Sequence, residues 1–95
     1  MTKEEREEIF NKALEKWGEE KQLIVACEEL AELIQAITKH LRHNDGTSVS
    51  YNLVEECADA QLVIDQVIYM FDIGGPFEDI YKQKIKRLKK TIKDD

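Results

Sequence analysis

From Leu23 to Leu41, apolar residues recur at steps of four, three, four, three and four: Leu23, Cys27, Leu30, Ile34, Ile37, Leu41. Thirty residues on, the same rhythm returns as Leu53, Cys57, Ala60, Ile64, Val67 and Phe71. Alternating steps of three and four trace one face of an α-helix, while the period-two alternation of a half-buried strand is absent. The chain is therefore expected to be all-α. Thr2 with Glu5 has the form of a capping box and opens a first helix over 3–17, which Gly18 interrupts. A second helix is expected over 19–42. The polar stretch from His43 to Ser50 follows, with Asn44 to Gly46 as a natural helix stop. A third helix over 51–72 ends at Gly74-Gly75-Pro76, and Pro76 suits the first turn of a fourth. In that last helix, Phe77, Ile80, Tyr81, Ile85, Leu88 and Ile92 are expected to face a core and the lysines to face water. The second and third helices should pack as an antiparallel pair. Common packing accounts for their shared rhythm without an internal duplication.

Ninety-five residues, 36% of them charged and 42% hydrophobic, fit a single domain over 1–95. Twenty acids against fourteen lysines and arginines leave a net charge of −6, the wrong sign for a sequence-independent nucleic-acid binder. There is no apolar run of about 18 residues to span a membrane. The charged stretch Met1 to Glu8 lacks the apolar segment of a secretory signal, so a cytoplasmic protein is expected. Cys27 and Cys57 then read as two reduced core thiols, and their spacing does not suggest zinc.

The informative residues are acids within the two apolar helices: Glu28-Glu29-Leu-Ala-Glu32 in the second and Glu55-Glu56-Cys-Ala-Asp59 in the third. Residues three apart share a helix face, so Glu29 projects with Glu32 and Glu56 with Asp59. No lysine, arginine or histidine lies between Gln22 and Thr38, or between Tyr51 and Asp72. Acids clustered without internal cations repel one another, and an oxygen-only donor set suits Mg²⁺ or Mn²⁺. A di-iron bundle would need a histidine three residues after a glutamate, and neither helix has one. The plainer alternative is a set of solvated helix acids in an acid-rich chain.

Glu28-Glu29-x-x-Glu32, twenty-three intervening residues, then Glu56-x-x-Asp59 resembles the EExxE…ExxD signature of the MazG-like nucleotide pyrophosphohydrolases. The stretch from Gln22 to Ile37 is similar to that family's first motif helix in its small and apolar positions too. Glu56-Cys-Ala-Asp59 running on to Ile64-Asp65-Gln66 resembles the second. The likeness spans roughly residues 17–92. It implies a four-helix MazG-like bundle with a metal site between the second and third helices. The implied reaction is Mg²⁺-dependent hydrolysis of a nucleoside triphosphate between the α- and β-phosphates, giving the monophosphate and pyrophosphate, with nucleotide-pool cleaning as the role.

On this resemblance Glu29, Glu32, Glu56 and Asp59 are the expected metal ligands, with Mn²⁺ as a possible substitute for Mg²⁺. Glu28 is a further ligand or the base that orients water. Lys84 and Arg87 fall where such proteins often carry basic residues on the last helix, although a solvated face also explains them. Trp17 can stack on a base or sit in the core, and Gln22 can read a base edge. His40 and His43 suit a helix C-terminus and receive no catalytic role. Phosphoribosyl-ATP pyrophosphohydrolase is the nearer rival, but its second motif continues with an aromatic residue and a histidine where this chain has Ala60-Gln61-Leu62-Val63. A non-catalytic acidic helical interaction module is the rival of a different class. The edge around Val25, Ala36, Leu62 and Val63 needs cover beyond the main stripes, and the resemblance also implies a homodimer or homotetramer. In such an assembly the last helix of one chain would bring Lys84 or Arg87 toward the metal site of another.

Overall fold

Four helices follow one another in the computed structural model, which describes residues 1–43 and 51–94: α1 (Lys3–Trp17), α2 (Glu19–His43), α3 (Tyr51–Met70) and α4 (Gly74–Asp94). No strand occurs among the described residues, and none of their helices is long and apolar enough to cross a membrane. The expected stop at Asn44 to Gly46 lies outside the described residues.

Local chemistry sets the helix ends. Thr2 Oγ1 accepts from the Glu5 amide at 3.1 Å while Glu5 Oε1 accepts from the Thr2 amide at 3.2 Å, so the capping box closes on itself. Gly18 joins α1 to α2 without a loop. Its N–H donates to the Leu14 carbonyl at 2.8 Å, and its own carbonyl accepts from the Gln22 amide at 3.1 Å. At φ 84° and ψ 162° it occupies a region that is essentially glycine-only. α3 stops at Met70, two residues before the expected end. There Asp72 turns into the left-handed region at φ 52°, and the Ile73 amide reaches back to the Ile68 carbonyl at 3.1 Å in a Schellman arrangement. Gly74 and Gly75 accordingly belong to the first turn of α4 and do not lie between helices.

The antiparallel pairing of α2 and α3 forms the centre of the fold. Gln22 bonds to Gln66 at one end, while Glu29 and Glu32 meet Glu56 further along, so the two helices run in opposite directions. α1 lies across both, with the Phe10 and Tyr69 rings 6.1 Å apart.

The seam of the pair is made of small residues, which corrects the expected core. Ala26, Ala36, Ala60 and Val63 are the buried hydrophobics, with Leu33 and Leu53 half-buried beside them. The large stripe on α2 points outward: Ile34 is 63% exposed and Leu41 73%. Cys27 and Cys57 are free and exposed, and so are not core thiols. The edge expected to need cover is instead largely the seam, since Ala36 and Val63 are buried there and only Leu62 stays exposed. Alanine lets two helices approach closely, and close approach excludes the bulkier stripes from the contact.

α4 departs from expectation in the same way. It adjoins α3 alone; Phe77 is half-buried, but Ile80, Tyr81, Ile85, Leu88 and Ile92 all face outward. The radius of gyration is 16.4 Å, where a compact chain of this length would have about 12 Å. The accessible surface is 7830 Å², where about 5700 Å² is usual for this mass.

Candidate functional site

Because α2 and α3 close on alanines, the acids beside that seam are brought together across it. Glu29 and Glu32 come from one helix and Glu56 from the other, and one carboxylate oxygen of each lies within 4.8 Å of the other two. Glu29 and Glu56 are half-buried and Glu32 is exposed, so the group opens to solvent on one side. Glu29 Oε2 and Glu56 Oε2 are buried and accept no hydrogen bond. A buried carboxylate oxygen without a donor is costly to keep charged.

Protonation responds to this crowding. Glu29 is raised above the ordinary glutamate value, chiefly by partial burial and then by the charges of Glu32, Asp59 and Glu56. Glu56 is raised by burial first, then by Glu32 and Asp59. Among the described residues no lysine or arginine pairs with any of these acids; the ion pair present joins Lys12 to Glu8 at 3.6 Å on α1. The donors are all oxygens, two of them unpartnered, and this set fits a hard divalent cation. Asp59 stands outside the close trio, yet it adds to the field at Glu29 and Glu56 and shares a cavity wall with Glu29.

The other sequence candidates divide. Glu28 is exposed and outside the trio. Trp17 and Gln22 line the cavity that reaches Glu29 and Asp59, and Trp17 is no core residue, being 48% exposed with the Lys16 ammonium 5.2 Å from its ring centroid. Lys84 and Arg87 are exposed on α4, which leaves α3 at the end remote from Glu56, so one chain does not bring them to the acids.

Two residues of the cavity, Lys21 and Gln66, carry no role from the sequence. Gln66 on α3 donates from Nε2 to Gln22 Oε1 at 3.2 Å. The antiparallel register held its signal: Gln22 stands seven residues before Glu29, and Gln66 stands seven after Asp59.

No family model, curated protein or solved structure matches the chain.

Proposed function

We propose that the chain is a Mg²⁺-dependent nucleoside triphosphate pyrophosphohydrolase of the MazG-like kind. The observation that carries this reading is the meeting of Glu29, Glu32 and Glu56 within 4.8 Å, with two buried oxygens unpartnered. Such a cluster repels a polyphosphate as it stands and attracts the cation that a polyphosphate binds.

Glu29, Glu32 and Glu56 would hold the metal, with Asp59 beside them. When bound, Mg²⁺ supplies charge neutralisation for the phosphates and acidifies water. The protein's own part is to fix the carboxylates through the α2–α3 seam and to withhold any competing cation. Exposed Glu28 is left as an accessory acid that can accept a proton from water.

The partner is a second copy. Apolar stripes face outward on α2 and α4, and the surface exceeds that of a compact chain by an amount comparable to what a stable dimer buries. Charge favours the same partner. Residues 74–95 hold seven of the fourteen lysines and arginines with four of the twenty acids, so α4 is basic and the remainder strongly acidic. An α4 laid on another copy would carry Lys84 and Arg87 toward its acids.

The test is a panel of ordinary and modified ribo- and deoxynucleoside triphosphates with Mg²⁺, scored for pyrophosphate against orthophosphate. Pyrophosphate with the matching monophosphate is expected. Orthophosphate release, or no turnover alongside a carboxylate-independent Mg²⁺ isotherm, overturns the reading.

A further inference from the structure

We infer that the hydrogen bond between Gln22 and Gln66 fixes the axial register of α2 against α3, and so holds Glu29 and Glu32 level with Glu56. The two glutamines are positioning residues for the acid cluster. The inference takes from the proposed function only that this cluster is the metal site.

The contact between α2 and α3 governs how close the helices stand far better than how they slide. Three of the four buried hydrophobics there, Ala26, Ala36 and Ala60, end in a single methyl group. Apolar burial is non-directional, and a methyl is a poor knob for the holes of a facing helix. The acid cluster has no such tolerance. Its three carboxylate oxygens lie within 4.8 Å of one another, and sliding α3 by one helical turn moves Glu56 by about 5.4 Å. The acids cannot hold that register themselves, because their charges repel.

Gln66 Nε2 donates to Gln22 Oε1 at 3.2 Å, in a half-buried position and across 44 residues of sequence. A hydrogen bond weakens steeply once its geometry is lost, so a slip of one turn breaks this one. In paired helices a single polar contact of this sort selects register at some cost in stability. Thr38 and Gln61 by contrast bond within their own helices, to the Gln35 carbonyl and to Asp65. Lys21 lines the same cleft as the two glutamines, but among the described residues it forms no ion pair with Glu29 or Asp59. The tie is therefore neutral and leaves the charge of the carboxylates intact for a cation. Gln22 stands seven residues before Glu29, which puts the bond about 10 Å along the helix from the acids. At that separation each amide acts on the carboxylates through its helix and not by contact.

The full chain and its Gln22→Met, Gln66→Met and double variants, checked for helicity, are titrated calorimetrically with MgCl₂, and each is melted in chelator. Replacing both amides leaves neither without a partner, so the double variant should melt in chelator at or above the wild-type temperature. Its Kd for Mg²⁺ should nevertheless weaken about tenfold or more, the loss typical of a group outside the ligand set. Each single variant should weaken Mg²⁺ about as much as the double one, because the two amides act as a unit. An unchanged Kd in the double variant overturns the inference. A weakening that tracks a lower Tm in chelator also overturns it, since that is ordinary stabilisation. Single losses that add in the double variant, or a wild-type chain without a Glu29-dependent Mg²⁺ isotherm, do the same. Failure of the hydrolase reading looks different: Mg²⁺ binding depends on the glutamines, and no triphosphate is turned over. Turnover with a Mg²⁺ affinity indifferent to both glutamines leaves the hydrolase standing and removes the register role.

Discussion

Glu29 on α2 and Glu56 on α3 each bury one carboxylate oxygen that no donor reaches, and their nearest oxygens lie within 4.8 Å together with one from Glu32. Like charges held this close need either protons or a cation. Which of the two is present decides both activity and stability.

Removing a ligand charge without changing shape should abolish function and spare the fold. Glu32→Gln and Glu56→Gln are each expected to lower Mg²⁺-dependent pyrophosphate release by at least about a hundredfold, since even outer-shell losses at metal sites cost ten- to a hundredfold. Helical circular dichroism should stay at the wild-type level. Near-wild-type turnover in both variants contradicts the ligand assignment.

Metal should act as a stabilising ligand of the folded state. Saturating Mg²⁺ at about 100 times its Kd adds about 2.7 kcal/mol, read as a rise in Tm. The rise should shrink in Glu29→Gln. An identical rise in that variant places the bound ion elsewhere.

Without metal, the pH dependence has a definite sign. The Glu29 and Glu56 carboxyls hold protons more tightly in the folded chain than in the unfolded one. Between the ordinary glutamate value and their raised values the folded state therefore binds more protons, and stability falls as pH rises through that interval. Their contribution is fully present below the ordinary value and is lost above the raised ones. Subtracting the Glu29→Gln melting curve from the wild-type curve in chelator isolates the effect. A difference that grows in favour of wild type as pH rises refutes the sign.

Gly18→Ala tests the loopless joint. A Cβ there meets nothing within 4 Å, so the penalty is one of torsion alone. At φ 84° and ψ 162° it should cost about 1–3 kcal/mol in chemical denaturation. A change below a few tenths of a kcal/mol means the joint relaxes.

The outward stripes predict association. Light scattering should give at least twice the chain mass of 11.1 kDa, and Ile34→Glu or Leu88→Glu should shift it toward the single chain. A monomer at micromolar concentration with full activity removes the second copy from the site.

Legibility in the sequence followed the range of the interactions. The capping box at Thr2, the stop at Gly18 and the extent of α1 are local chemistry and could be read directly. That Glu29 shares a face with Glu32 was legible from the helical period. Their meeting with Glu56 across the pair was expected only from the family resemblance, which also counted Asp59, and the structure leaves Asp59 outside the close trio. The inner face was not legible. Periodicity ranks Ile34 and Leu41 above Ala36 by size, while packing selected the alanine because it permits close approach. Gln66 escaped because its meaning depends on register with Gln22, and the position of α4 escaped because its apolar stripe finds no cover within the chain.

The alanine seam acts as a gauge. Ala26, Ala36 and Ala60 set how far α2 stands from α3, and that distance is also the span between Glu29 and Glu56. Two methyl groups added along it, as in Ala60→Val, spread the helices and the carboxylates by the same movement. Rigidity of the scaffold and reach of the ligands are thus one variable in this chain, so neither can be altered alone.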